Sequence, residues 1–141
     1  MKIRKNLILF CLGGAAYTAT ELLWRGRSHS SMFLLGGSCF LLLGKLGQHF
    51  PRIPLWAKVS LGAALVTGLE LGTGLLVNRD FAIWDYRNMP YNYQGQICLN
   101  YSLLWMPASL LAMVIYEKAE RRLLSLPPLA ISSFQSGKQA K

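Results

Sequence analysis

The chain has 141 residues, of which 52% are hydrophobic and 15% charged, with a formal net charge of +9. A soluble domain carries about 25% charged residues, so the deficit points to a single domain that hides much of itself from water. The positive charge does not signal nucleic acid as a partner, because Lys and Arg lie between apolar runs and form no single basic face.

A helix needs roughly 20 mostly apolar residues to cross a bilayer, with about 17–25 tolerated. Four segments qualify, which predicts an all-α, polytopic membrane protein with residues 1–125 as its transmembrane domain. The first span is Leu7 to Trp24. The start, "MKIRKNLILFCLGGAAYTA", has the basic end, apolar stretch and small residues of a signal peptide. The remainder is equally membrane-like, so it is expected to be an uncleaved span. "LILFCLGG" resembles a lipoprotein box, but the bulky Phe10 before Cys11 argues against processing there. The connection "WRGRSHSSMF" then brings Arg25, Arg27 and His29 soon after Glu21.

The second span, Ser30 to Gln48, is the weakest by length. The third, Leu55 to Val77, contains Glu70. The connection after it, "NRDFAIWDYRNMPYNYQGQICLNYS", is long for a featureless loop and dense in Trp, Tyr, Asn and Asp. It is expected to fold back over the mouth of the bundle. The fourth span, Ile97 to Tyr116, carries Asn100 and Ser102, and Pro107 is expected to kink it. "NYS" at 100–102 matches a glycosylation sequon, but its place at a span entrance argues for a false positive. The tail over 126–141 has two prolines and many small polar residues, which predicts disorder. "RRLLSLPPL" reads as an amphipathic end of the last helix or equally as a solvated terminus.

Basic residues set the expected orientation. Lys2, Arg4, Lys5, Lys45, Arg52, Lys58, Lys118, Arg121, Arg122, Lys138 and Lys141 make eleven on one side, against four (Arg25, Arg27, Arg79 and Arg87) on the other. Both termini are therefore expected to be cytoplasmic, in a plasma membrane. Trp24, Trp56, Trp84 and Trp105 fall near span ends and read as interface anchors, Trp84 less well than the others. Cys11, Cys39 and Cys98 form no CxxC pair and are odd in number, which argues against a disulfide framework and a zinc ribbon. His29 and His49 should lie on opposite sides of the membrane, so neither a metal site nor a cofactor is implied.

Residues 13–22, "GGAAYTATEL", align with residues 62–71, "GAALVTGLEL". Five of the ten positions are identical, including Thr18/Thr67 and Glu21/Glu70. Gly, Ala and Leu are common in membrane helices, so chance is a rival to duplication of a two-helix unit. A duplication would make a parallel repeat, and such repeats place sites at their mutual interface. Each Thr shares a helix face with the Glu three residues on, which predicts a hydrogen bond between them. Ser60, Ala64, Gly68 and Gly72 recur at four-residue spacing and suit close helix packing; that face permits a homodimer.

Glu70 is the most informative residue. A charge at mid-bilayer costs at least about 2.5–3.5 kcal/mol. Glu70 lies about 10 Å from the span end at 1.5 Å rise per residue, beyond the reach of a short side chain to the interface. It must be protonated, paired with a cation or facing a wet cavity. It is either a structural pin to another helix or a functional carboxylate.

"LELGTGLLVN", "WDY", "NYQGQICL" and "YSLLW", between Glu70 and Trp105, resemble the C-terminal signature of the CmpB-type "putative ABC-transporter type IV" membrane proteins. A Glu late in the first helix also fits. Where members of that family carry a Gly-Pro and a Pro-Ile-Tyr-Gly stretch, this chain has "SHSSMFLLGG", so the first half departs from the pattern. The resemblance implies a small polytopic membrane protein and a transport role. By position it marks Glu70, Asn78, Trp84, Asp85, Tyr86, Asn92, Gln96 and Cys98 as family-typical polar residues.

Three functional readings follow. In the first, Glu21, Arg25, Arg27, His29, Glu70, Asn78, Trp84, Asp85, Tyr86, Asn92 and Gln96 line an outward-facing polar cavity of a transporter subunit or small permease. Glu70 and Glu21 would bind a cation, a proton or an amine, and Arg25 and Arg27 would attract anions or lipid phosphates. No GxxxxGK[ST] motif occurs, so an ATP-driven role needs a separate ATPase subunit. The second reading is a membrane-embedded enzyme acting on a lipid-linked substrate, with His29, Asp85 and Glu70 as acids or bases and Cys98 as nucleophile. No nucleophile–base spacing marks it, and a packed thiol and an interface histidine are the simpler assignments. The third is a scaffold or regulatory subunit in which Glu70 only holds helices together.

Overall fold

The computed structural model describes residues 2–125, so the tail over 126–141 lies outside the described residues. In chain order the elements are α1 (Lys2–Arg25), α2 (Ser30–His49), α3 (Leu55–Val77), β1 (Asn92–Tyr93), β2 (Ile97–Cys98) and α4 (Leu99–Ser125). Each of the four helices is long and apolar enough to cross a membrane. The protein is an all-α, multi-pass membrane protein with a small extramembrane hairpin. Leu23, Leu76 and Leu111 stand exposed on the outside of the bundle, which suits acyl chains and not water.

Two helices have limits that differ from expectation by more than one residue. The first helix already runs from Lys2, since Lys2, Arg4 and Lys5 are good helix formers that hydropathy excludes from a span but that do not stop a helix. The fourth begins at Leu99 because Ile97 and Cys98 pair antiparallel with Asn92 and Tyr93. It runs through Pro107 without a break and continues nine residues past Tyr116 to Ser125.

α1 ends at Gly26, whose positive φ of 72° suits glycine and whose N–H bonds back to Leu22 O at 2.9 Å. α2 starts at the His29 cap, where Ser31 N donates to His29 Nδ1 at 3.1 Å. These two helices pack most closely. Gly13 and Gly14 lie against Phe40 and Phe33, while Gly36 and Gly37 lie against Tyr17 and Phe10. Without a hydrophobic drive in lipid, such backbone approach supplies the dispersion contacts that hold helices together. On α3 the packing glycines are Gly62, against Ser109, and Gly74, against Gln96 and Trp84. The Gly68 and Gly72 positions face open space. Among the described residues the expected packing stripe therefore meets no helix at Gly68 or Gly72; Ser60, Ala64 and Gly68 border an apolar groove of about 470 Å³ beside α4. α1 and α3 share no extended contact, and α2 and α4 lie between them.

The connections divide the bundle into two ends. The cap end holds residues 26–29 and the segment 78–98. The terminal end holds Lys2, residues 50–54 and Ser125. Trp24 and Trp56 are exposed at opposite ends, as interface anchors should be. At the terminal end, Lys5 Nζ and Gln48 Nε2 donate to the two oxygens of Glu120, joining α1, α2 and α4. Tyr116 is buried one turn before, against Phe40 and Gly44. Lys5→Met leaves a nearly buried carboxylate without its cation. It is expected to lower stability by about 1–3 kcal/mol, with Glu120→Gln on that background restoring part of the loss. Thermal unfolding in detergent checks both.

Candidate functional site

The site starts from Glu70, which is 3% exposed. Its carboxylate faces the protein. Tyr86 Oη donates to Oε1 at 2.9 Å, and Trp105 Nε1 donates to Oε2 at 3.1 Å. An indole N–H can only donate, so Oε2 must accept. Arg25 Nη2 donates to Tyr86 Oη at 3.3 Å, which leaves the phenolic hydrogen free to point at Glu70. Arg25 Nε lies 3.4 Å from Glu21 Oε2. A chain of polar groups thus runs Glu21–Arg25–Tyr86–Glu70–Trp105, drawn from α1, the cap, α3 and α4. Tyr101 stacks on Tyr86 with ring centroids 4.9 Å apart. Burial first, and then the charge of Glu70, push the Tyr86 phenol well above its ordinary range. The hydroxyl therefore keeps the proton it donates.

The cap places Tyr86. Asn78 is fully buried at the end of α3. Its Oδ1 accepts from Ile83 N at 2.8 Å and Trp84 N at 3.3 Å, and its Nδ2 donates to Trp84 O at 2.7 Å and Gln96 Oε1 at 3.0 Å. Gln96 Nε2 donates back to Asn78 O at 3.0 Å, and Trp84 Nε1 donates to Gln96 O at 2.9 Å. Every side-chain polar group of this trio is therefore satisfied inside the cap. The hairpin closes at Gln94 and Gly95, both at positive φ, and Gly95 O accepts from Tyr86 N at 2.9 Å. Asn92 holds the same turn: Nδ2 donates to Met89 O at 2.8 Å, and Oδ1 accepts from Gly95 N at 3.1 Å. Phe81, Tyr91 and Gln94 are non-glycine residues at positive φ. Such conformations cost about 1–3 kcal/mol each and persist only where the surroundings fix them.

A cleft of about 240 Å³ opens beside this network. Glu21, Arg27, Ser28, His29 and Asp80 line it, with Met32, Val77, Ala82 and Ile83 as apolar wall. Glu21 belongs both to the cleft and to the chain leading to Glu70.

The candidate residues therefore separate into groups. Glu21, Arg25, Tyr86 and Glu70 form one connected chain. Glu21, Arg27 and His29 share the cleft. Asn78, Trp84, Gln96 and Asn92 build the cap. Asp85 is turned to the surface, where it accepts from Arg87 at 2.7 Å, and that guanidinium holds its carboxyl below the usual range. The Asp85–Arg87 pair is accordingly complete at neutral pH and is lost as pH falls through the lowered value. His29 bonds Ser31, and Cys98 is buried; neither hydrogen-bonds to Glu70 or Asp85.

The expected Thr–Glu bonds are absent. Thr67 Oγ1 donates to Ser102 Oγ at 3.1 Å, and Thr18 Oγ1 is buried without a partner. Trp105 is not a simple interface anchor but a ligand of Glu70. Sequence reasoning missed Trp105, Tyr101, Asp80 and Glu120 as members of these clusters. Tyr101 and Trp105 lie four apart on α4, a spacing that places them on one face. Tyr86→Phe removes the hydroxyl between Arg25 and Glu70. It is expected to cost about 1–3 kcal/mol, read as a fall in unfolding temperature, with helix content kept.

No curated protein and no solved structure matches the chain. The family model described as Putative ABC-transporter type IV matches residues 7–136, so nearly all of the sequence is covered, including the whole polar chain and its cap. The protein belongs to that family.

Proposed function

We propose that the protein is the membrane-spanning subunit of a transporter, or a small permease, with a polar cavity at its cap end built around Glu70. The observation that carries this reading is the Glu70 carboxylate, buried at 3% exposure with one donor on each oxygen from two different elements. Buried intramembrane carboxylates mark ion or substrate paths by default. Here the path has an entrance: the cleft lined by Glu21, which reaches Glu70 through Arg25 and Tyr86. Asn78, Trp84 and Gln96 position Tyr86, and Glu70 and Glu21 take a proton or cation. The lysine and arginine distribution supports a cap end facing away from the cytoplasm of a plasma membrane, with both termini inside. The family's name supports a separate ATPase subunit as the energy source. The open face of Ser60, Ala64, Gly68 and Gly72 is where a second copy would enlarge the cavity.

The test is cation or proton flux in vesicles holding the purified chain, with and without Glu70→Gln at matched protein levels. The variant is expected to lose at least about tenfold of the flux, equivalent to about 1.4 kcal/mol in the barrier. Unchanged flux would leave Glu70 as a structural pin.

A further inference from the structure

We propose that the cleft at the cap end binds a small zwitterion, its anionic group on Arg27 and its ammonium group between Asp80 and Glu21. This deepens the reading above by naming what enters. Among the described residues Arg27 has no ion-pair partner, and neither has Asp80. Asp80 Oδ1 accepts only a backbone bond from Ala82 N at 3.3 Å. Glu21 meets Arg25 through Oε2 alone, at 3.4 Å, which leaves Oε1 for a ligand.

Both signs of charge are thus presented to one hollow, and the local charges of Glu21, Asp80, Arg25 and Arg27 sum to zero. A ligand with a net charge would leave one of them uncompensated, whereas a zwitterion matches both. The apolar wall of Met32, Val77, Ala82 and Ile83 accepts a short carbon frame between the two charges. The volume of about 240 Å³ is below the roughly 300–1,000 Å³ of sites for drug-sized ligands. It suits a molecule the size of an amino acid or of a small aminoalkyl phosphodiester. The same chemistry occurs in a free solute and in a phosphatidylethanolamine headgroup.

The experiment is calorimetric titration of the purified full chain in detergent with glycerophosphorylethanolamine, whose phosphodiester carries a single negative charge, and with its two charged halves, ethanolamine and dimethyl phosphate. The zwitterion is expected to bind at least about tenfold tighter than either half, because each half forfeits one charge-assisted contact. Arg27→Gln and Asp80→Asn are each expected to weaken it about tenfold, while Arg79→Gln, whose Nε bonds Leu75 O outside the cleft, leaves it unchanged. Equal affinity for the zwitterion and its halves would overturn the proposal, as would equal losses in all three variants. Repeating the titration in vesicles of phosphatidylethanolamine and of phosphatidylglycerol identifies the source. Loss of the soluble ligand's binding only in phosphatidylethanolamine assigns the site to the headgroup, and binding in both assigns it to a free solute. The readout is binding, so an unchanged flux in Glu70→Gln would defeat the transport reading without altering this result.

Discussion

Glu70→Leu is expected to lower stability by about 2–5 kcal/mol, with Glu70→Gln costing about 1 kcal/mol or less. Leucine leaves the buried Tyr86 hydroxyl and the partly buried Trp105 indole N–H without acceptors. Each orphaned donor costs about 1–3 kcal/mol. Glutamine keeps the shape. Its carbonyl accepts from Trp105, and its amide donates to Tyr86 Oη, whose second lone pair is free. The fold is retained while the charge is lost and the Tyr86 hydrogen bond reverses direction. Thermal unfolding of the two variants in detergent, beside flux in vesicles, separates the structural from the transport role. A leucine variant as stable as the parent would show that the two donors find other acceptors, and the polar chain would not be the organising element of the site.

Asn78→Ala should release the cap. The side chain makes four hydrogen bonds from a fully buried position, and alanine supplies none. Backbone N–H groups of Ile83 and Trp84, the Trp84 carbonyl and the Gln96 amide all lose a partner. A loss of about 3–5 kcal/mol follows if even two remain unsatisfied. The three positive-φ residues of the segment then lose the frame that fixes them. Because Gly95 O and Tyr86 N are tied through the same hairpin, Tyr86 withdraws from Glu70, and flux falls without any change at the carboxylate. Hydrogen exchange over residues 79–98 is expected to rise sharply, while exchange in α1 and α2 changes little. Uniform exchange across the chain would mean that Asn78 supports the whole bundle and not the cap alone.

The bundle was legible in the sequence because a bilayer demands apolar length, and four runs supply it. The limits of α4 were less legible. Hydropathy falls after Tyr116, but the helix continues through Glu117 to Ser125, because Glu, Lys, Arg and Leu are all good helix formers and polarity does not end a helix. Glu70 announced itself by its cost in lipid. Its partners did not, since Trp105 lies 35 residues away and Tyr86 lies 16 away, and no local spacing rule connects them. The family resemblance marked Asn78, Trp84, Asp85, Tyr86, Asn92, Gln96 and Cys98 together with Glu70; Asn78, Trp84, Tyr86 and Gln96 lie in the network that reaches Glu70, whereas Asp85 pairs with Arg87 at the surface. Thr18 and Thr67 misled because helical spacing shows which side chains share a face, not which partner a hydroxyl finds; Ser102 on α4 takes Thr67 instead. Glu120 passed unnoticed among the basic residues of the last helix, though its burial between Lys5 and Gln48 closes the opposite end of the bundle.

The contact between Glu70 and Tyr86 inside the protein joins the cap to the bundle, and a double-mutant cycle measures it directly. Unfolding free energies of the parent, Glu70→Leu, Tyr86→Phe and the double variant should show a coupling of about 1–2 kcal/mol, as expected when each single change removes a buried hydrogen bond. Effects that add within about 0.3–0.5 kcal/mol would mean that the two side chains do not meet, and that the carboxylate is held by something other than the cap.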